Sequence, residues 1–416
     1  MLTWIKLAVR NLFRNARRSF FTILAIALGF VAVNVLGGFM SYIFSNLQES
    51  YIYGEANGHL TIFKTGFLDK GKLDPTRYLL TESQLATIER VTARHPNVLV
   101  NTAQLGVSGL LSNGQVSTIF VGSGRVPSDI ERIRRYANPI NKRIRQYDGQ
   151  ALSDRQVNAI GVSHGLAKAL NLPLGATAVA MSPTVSGQIN ALDAELVQLI
   201  DSPVEVLDDK LTIVPLRFAQ SLYDTKSVDR VTLLLTRGTD VDAFRAVLAP
   251  ELRQSGLDVD IRTWTELSPF YTKTKKMFDV IFVVSFVIVF MIVVMSVVNT
   301  FTMAVLERTR EIGTLRALGV RRRRIVALFS MESVVLGSFG SLLGIGLTLL
   351  VITSVSWLEP TWVPPQMARR VPLQIYLVPT YWLFSTLMLM LLSTVAASLP
   401  ARKAARMPIP NALGYA

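Results

Sequence analysis

The sequence predicts a membrane protein: four transmembrane α-helices with a large α+β extracytoplasmic domain inserted between helices 1 and 2. Three observations carry this reading. Half of the 416 residues are apolar and only 17% are charged, a balance that argues against a purely soluble chain. Four stretches free of Asp, Glu, Lys and Arg, residues 19–48, 280–306, 333–358 and 371–401, suffice to cross a bilayer core of about 30 Å, which takes roughly 20 helical residues. Residues 46–279, between the first two, hold 26 basic and 25 acidic side chains and have the patterning of a folded domain.

Residues 1–18 carry Lys6, Arg10, Arg14, Arg17 and Arg18 and no acid, a basic amphipathic lead-in. Arg17 and Arg18 also fit a twin-arginine export signal. The apolar run behind them exceeds the roughly 7–15 residues of a signal core and no small-x-small site closes it, so residues 19–45 read as a retained first span.

In the inserted domain, TESQLATIERVTARHP places Thr81 and Gln84 at capping-box spacing, sets Leu85, Ile88 and Val91 on one helical face, and meets Pro96. LGVSGLLSNGQVSTIFVG has two β-rich runs around Asn113-Gly114, a favoured hairpin pair. VNAIGVSHGLAKALNLPLGATAVAM reads as strand, short helix, a glycine turn at Gly175 and strand. DRVTLLLTRG, a helix Val241–Gln254, and LDVDIRTW read as strand, helix, strand. Residues 125–154 have no clear period and are expected to form an inserted loop or short helices.

No catalytic site is expected here. Gly122 and Gly124 lack the spacing of a phosphate loop and are expected at a strand-to-loop exit. His59, His95 and His164 are far apart, each expected to be exposed or capping. Ser163 beside His164 is a poor nucleophile and base pair, because chain neighbours rarely point at each other. Cysteine is absent, which removes disulfides, thiol chemistry and lipidated cysteine, and no metal site is expected.

The spans 280–306, 333–358 and 379–401 follow, the last opening at Pro379 and turning apolar near Tyr381. Charge orients them, because short cytoplasmic segments carry excess Lys and Arg. The net charge of +14 divides into +5 on residues 1–18, +4 on 307–332 and +3 on the tail 402–416, with +1 on the loop 359–378 and +1 on residues 46–279. Both termini and the 307–332 segment are therefore expected in the cytoplasm and the large domain outside. Trp357, Trp362, Tyr381 and Trp382 fit an outer aromatic belt. The excess charge is topology, and no nucleic-acid partner is expected. Apart from Asn34, Asn299 and a few Ser and Thr, the spans lack the polar groups that line an ion path.

MAVLERTREIGTLRALGVRRRRIVALFSMES, residues 303–333, carries the strongest signal. Glu307 and Arg310, and Arg308 and Glu311, stand in i,i+3 register, with Arg316 continuing the mixed charge. Ile312, Leu315 and Leu318 supply an apolar edge, and Gly319 is placed to end the helix. Arg321 to Arg324 suit lipid phosphates. The acids among the bases suit a protein groove, so the segment reads as a transmitter helix. Gly340 and Gly344 have GxxxG spacing, open to packing within the subunit or across a dimer.

ERTREIGTLRALGVRRRRIVALFSMES resembles the hallmark of the FtsX-like, MacB-type ABC transporter permeases (the type VII superfamily). WIKLAVRNLFRNARRSFFTILAIALG resembles that family's first helix, and SLPARKAARMPIPNAL its closing signature. IGVSHGLAKALNLPLGATAVAM and LTIVPLRFAQSLY are similar to its outer domain. GHLTIF after the first span, with no fused ATPase, looks closest to the lipoprotein-releasing LolC/LolE group.

The resemblance implies an inner-membrane permease subunit with a periplasmic domain. It implies a partner ABC-type ATPase seated on Glu307, Arg308, Glu311, Ile312, Gly313, Leu315, Arg316, Leu318 and Gly319. It further implies a second permease subunit as homodimer or heterodimer, a periplasmic adaptor or chaperone, and contact with membrane lipid. Stalk extensions of the first two helices are implied to transmit ATP-driven motion mechanically. No GxxxxGK[ST] occurs in the chain, so ATP and Mg are expected on the partner chain, with no cofactor here and no catalysis. The implied work is moving or extracting an amphipathic, lipoprotein-like substrate. The alternatives are tripartite efflux of macrolide- or peptide-type compounds and mechanical regulation of an envelope enzyme.

Overall fold

The computed structural model describes residues 16–71, 73–138, 147–202, 205–362 and 370–413. Most of the basic lead-in, parts of the 125–154 and 359–378 segments, and the last three residues of the tail lie outside the described residues. In chain order the helices are α1 (Ala16–Glu49), α2 (Phe67–Lys70), α3 (Glu82–Thr92), α4 (Pro127–Arg135), α5 (His164–Ala169), α6 (Leu216–Tyr223), α7 (Val241–Gln254), α8 (Pro269–Glu307), α9 (Thr309–Ala317), α10 (Arg322–Leu358), α11 (Pro379–Arg406) and α12 (Ile409–Leu413). Short turns of helix at Pro75–Tyr78 and Trp264–Leu267 add to these. α1 runs on into one π-helical turn, Ser50–Gly54. Among the described residues four helices, α1 with that turn, α8, α10 and α11, are long and apolar enough to cross a membrane.

The chain forms two units, one of Ser45–Lys273 with Trp362–Val371, the other of the remaining residues. The first unit, the inserted domain, is built on a ten-stranded mixed sheet. Its strands are β1 (Leu60–Lys64), β2 (Val98–Ser112), β3 (Ser117–Arg125), β4 (Tyr147–Gly149), β5 (Ala159–Ser163), β6 (Thr177–Pro183), β7 (Ile189–Ile200), β8 (Leu211–Pro215), β9 (Arg230–Leu235) and β10 (Val259–Thr263). They lie in the order β10-β1-β9-β2-β3-β8-β5-β7-β4, with β6 paired to β2 and β7.

Two apolar cores share this sheet. Leu60 and Ile62 of β1, Val231, Leu233 and Leu235 of β9, and Val259 and Ile261 of β10 pack under α3 and α7, through Ile88, Val91, Phe244, Leu248 and Leu252. Leu105, Val107, Phe120, Val162, Ala180 and Leu196 pack under α5 and α6, through Leu166, Phe218 and Leu222.

Local chemistry explains the elements. Thr81 and Gln84 close α3 with a reciprocal capping box. The β2–β3 loop is four residues long, because Asn113 Oδ1 accepts from the Gln115 and Val116 amides while Gly114 takes φ 88°. Residues 125–154 supply α4 and β4.

Three expectations are corrected. Gly122 and Gly124 lie inside β3, where a Cβ would come within 2.0 Å of the Thr212 carbonyl oxygen and 2.2 Å of the Ala219 Cβ. They permit close approach of β8 and α6 and mark no loop exit. His59 is buried, and its Nδ1 accepts from the Leu235 amide at 3.1 Å. Burial first, then Arg237, bring its pKa down to about 4, against the Glu49 carboxylate. His95 is also engaged, with Nε2 2.8 Å from Glu251 Oε2. Ser163, in keeping with its expected lack of a catalytic role beside His164, is fully buried and donates to the carbonyls of Asp208 and Leu211.

In the second unit, Ile26, Phe30 and Val33 of α1 pack with Phe290, Val293 and Val297 of α8, Phe329 and Leu336 of α10, and Leu389 and Ala397 of α11. A Cβ on Gly340 would meet Ile26 at 2.6 Å and one on Gly344 would meet Phe30 at 2.7 Å. Both glycines therefore seat α10 on α1 of the same chain. Asn34 Nδ2 donates to the Phe30 carbonyl and to Ser385, joining α1 to α11. Trp382 stands edge-on to Phe30 with ring centroids 6.1 Å apart, so this tryptophan packs within the bundle, whereas Trp357 is 87% exposed.

Candidate functional site: the turn between the second and third spans

α8 ends at Glu307 and α9 starts at Thr309, with Arg308 between them at φ −108°, ψ 13°. α9 stops in a Schellman turn: the Gly319 amide donates to the Arg316 carbonyl and the Val320 amide to the Leu315 carbonyl, both at 3.0 Å. Gly319 takes φ 87° to make this possible, a conformation that costs other residues more. Arg321 follows in an extended conformation and α10 begins at Arg322.

α9 has two faces. Thr309, Ile312 and Gly313 are buried, and Ile312 joins Val305, Ile325, Phe329, Ala401, Ala404 and Ala405 in the helix core. Arg316 Nη1 donates to the Met407 carbonyl, tying this face to the segment before α12. The opposite face presents Arg310, Glu311, Thr314, Leu315, Ala317 and, past the end, Leu318, all exposed. Leu315 is 40% and Leu318 77% exposed, which makes an apolar ridge inside mixed charge.

Ion pairs fix the base of the turn. Arg308 Nη1 lies 3.2 Å from Glu332 Oε1 of α10, the two side chains only 12% and 5% exposed. Arg18 of α1 pairs with Glu307 at the end of α8, both about half exposed. Thr22 and Thr300 join the same two helices at 2.7 Å between hydroxyl oxygens.

Two expectations change. Glu307 and Arg308 precede α9, so the anticipated pairs Glu307–Arg310 and Arg308–Glu311 are not its organising contacts; the change of direction at Arg308 gives the first two residues to Arg18 and Glu332. Ile312, Leu315 and Leu318 do not form one edge. Steps of three residues drift about 60° each on a helix of 3.6 residues per turn, which turns Ile312 inward and the two leucines outward.

The structure thus gathers the sequence-predicted residues at one turn with divided tasks. Glu307, Arg308, Ile312, Gly313 and Arg316 hold it, Gly319 ends it, and Glu311, Leu315 and Leu318 face outward. Arg18, Glu332 and the Met407 carbonyl went unassigned at the level of sequence. Glu332 had a signal, as a lone acid at the edge of an apolar run.

Residues 19–250 match the family described as MacB-like periplasmic core domain, and residues 283–409 match FtsX-like permease C-terminal. The chain belongs to the MacB- and FtsX-like permeases. The inserted domain is the MacB-type core domain of this family, and the turn lies inside the FtsX-like region.

Among the relatives of this permease, the lipoprotein-releasing system transmembrane protein LolC of Neisseria meningitidis serogroup B is 24% identical over 359 residues, which cover 82% of this chain and 80% of that one. A macrolide export ATP-binding/permease protein MacB of Wolinella succinogenes is 25% identical over 366 residues, 77% of this chain and 53% of that one. The permease thus spans about half the length of that MacB relative. The crystal structure of the periplasmic region of MacB from Actinobacillus actinomycetemcomitans aligns with a TM-score of 0.37 at 14% identity, covering 51% of this chain and 91% of that one. The chain is an ABC transporter permease of the MacB/LolC type, a multi-pass membrane protein.

Proposed function

We propose that this permease couples ATP hydrolysis on a separate ATPase subunit to movement of its inserted domain, and that it extracts or moves a lipoprotein-like amphipathic substrate from the inner membrane or periplasm. The observation that carries the reading is the outward face of α9. Leu315 and Leu318 stand exposed, as Arg310 and Glu311 do, while the opposite face is anchored. Apolar anchors inside mixed charge suit a groove on a protein partner. The site lies in the turn that the family resemblance assigns to ATPase docking. ATP and Mg would be held by that partner. The termini and this turn are assigned to the cytoplasm and the inserted domain to the periplasm by the positive-inside rule, and a second permease subunit completes the assembly. The LolC relative, matched along most of both chains, favours the lipoprotein reading of the substrate.

Glu311→Lys and Leu315→Asp test the docking face, since both side chains are exposed on it. Each should lower ATPase stimulation by at least about tenfold, the loss of a charge-assisted or anchor contact, with an unchanged thermal midpoint. Full co-purification and full stimulation in both variants would sink the transmitter role. Depleting the permease and fractionating the envelope tests the substrate. Outer-membrane lipoproteins should accumulate in the inner membrane; normal sorting with raised macrolide sensitivity would replace this substrate by the efflux alternative.

A further inference from the structure

The sheet of the inserted domain has a second use for its inner strands. Side chains alternate between faces along a strand, and the face of β1 and β9 away from α3 and α7 should be apolar if packed or polar if solvated. It is neither. Registers pair Thr61 with Thr232 and Phe63 with Arg230 across β1 and β9, and Arg230 with Gln104 across β9 and β2. Thr61, Thr232 and Gln104 are at most 4% exposed. These polar strands line a cavity of about 230 Å³, which Tyr51, Asn57, Phe67, Leu68 and Leu267 complete.

Arg230 organises it. Its Nε and Nη2 donate to the two carboxylate oxygens of Asp229, each at 2.8 Å. The Gly106 amide donates to the same Asp229 at 2.9 Å, so the carboxylate is held in place. The guanidinium lies over the Phe63 ring, 5.5 Å from its centroid, and Phe63 stacks on Phe67 at 5.6 Å. Pinned this way, the guanidinium lines the cavity with about a third of its side-chain surface exposed. Burial works against its charge, but the Asp229 carboxylate outweighs this and raises the pKa. A cation, hydroxyls and an aromatic wall therefore converge on one small space, where an unfilled polar surface is costly.

We propose that this cavity binds a small organic carboxylate, with Nη1 of Arg230 taking the carboxylate, Thr61, Thr232 and Tyr51 offering hydroxyls beside it, and Phe67, Leu68 and Leu267 covering the carbon arm. The volume lies below the roughly 300–1,000 Å³ of drug-sized sites, so the arm is short. The site is independent of the turn that docks a partner.

Calorimetry on the full chain in neutral detergent, titrated with hexanoate, 3-phenylpropionate, hexanamide and inorganic phosphate, tests it. Saturable binding of the carboxylates is expected, with hexanamide weaker by at least about tenfold, the loss of a charge-assisted contact. Phosphate, lacking the arm, should bind no better than hexanamide. The paired change Asp229→Asn with Arg230→Met removes both charges together and should abolish binding while the thermal midpoint holds. Thr232→Val, nearly isosteric, should weaken hexanoate by about threefold to tenfold, the range of one neutral hydrogen bond, and covers the case where the pair fails to fold. Equal affinity for hexanoate and hexanamide, carboxylate binding unchanged in Thr232→Val, or no saturable binding at all would overturn the proposal, the last leaving a water-filled cavity.

Discussion

Charge is buried in two ways in this permease. At the turn between the second and third spans the pair Arg308 with Glu332 sits almost out of solvent. In the inserted domain the buried charges form a network. Arg125 donates to Ser123, to Asn57 and to the Glu55 carbonyl. Arg134 donates to the Gly54 carbonyl, and Arg237 takes both oxygens of Glu49. The network surrounds the π-helical turn Ser50–Gly54, whose terminal carbonyls lack helical partners and so accept from guanidinium groups. A deeply buried pair leaves a desolvated charge when one member is removed, whereas a network redistributes contacts and answers to pH. The turn is therefore brittle where the inserted domain is titratable.

The largest effect should break the pair. Glu332→Ala leaves Arg308 buried without that carboxylate and should destabilise the helix unit by about 3–5 kcal/mol, lowering the thermal midpoint in micelles. Replacing both, Arg308→Met with Glu332→Leu, should recover most of the loss, since a well-packed apolar pair is often neutral. A Glu332→Ala variant as stable as the parent would show that the turn has a hidden network of its own.

The network should show itself against pH. Burial raises Glu55 from the ordinary 4.5 to about 7, against Arg125 and the Asn57 hydrogen bond. Its cost is absent below pH 4.5 and complete above 7, so its contribution to stability falls as pH rises through that window. His59 runs the other way, from 6.5 to about 4. Its contribution is complete above pH 6.5 and is lost as pH falls through 4. Each is worth about 3 kcal/mol, and between pH 4.5 and 6.5 the two slopes oppose. Urea titrations reporting through Trp264, the other tryptophans changed to Phe, should be nearly flat there for the parent. Glu55→Gln should grow more stable with rising pH, and His59→Asn less stable. Identical slopes in the two variants would refute the opposition.

The same contrast explains what was legible in the sequence. The four spans, the capping box at Thr81 and Gln84, and the glycine stop at Gly319 are local patterns, decided within a few residues. The turn was visible because its charges lie together in the chain. Glu55, Asn57, Arg125, Arg134 and Arg230 are scattered over 176 positions and meet only through the sheet, so each reads alone as an ordinary polar or charged surface residue. The partners of Glu307 and Arg308 were misjudged for a related reason, because helical spacing holds only where the helix continues.

A smaller effect sharpens the account of brittleness. Gly344→Ala places a Cβ 2.7 Å from the Phe30 Cβ, and neither atom sits at the free end of a flexible side chain. The α10–α1 seam should shift, costing about 1–3 kcal/mol as overpacking does. Gly346, with nothing within 4 Å of its Cβ position, should accept alanine and gain up to about 1 kcal/mol from helix propensity. Thermal midpoints of the two variants separate packing at the seam from loss of glycine itself.

The smallest effect belongs to the other ion pair of the turn. Arg18 and Glu307 join α1 to α8 with about half of each side chain in solvent, where water and salt screen the attraction. Arg18→Ala should therefore cost only about 0.2–1 kcal/mol, and that difference should shrink as salt rises, while the Glu332→Ala difference should barely respond. Two pairs of the same chemistry, seated at one turn, would then differ severalfold through burial alone. A salt-insensitive loss of more than about 2 kcal/mol for Arg18→Ala would place this pair with the buried one, and the tie between α1 and α8 would count among the brittle contacts of the turn.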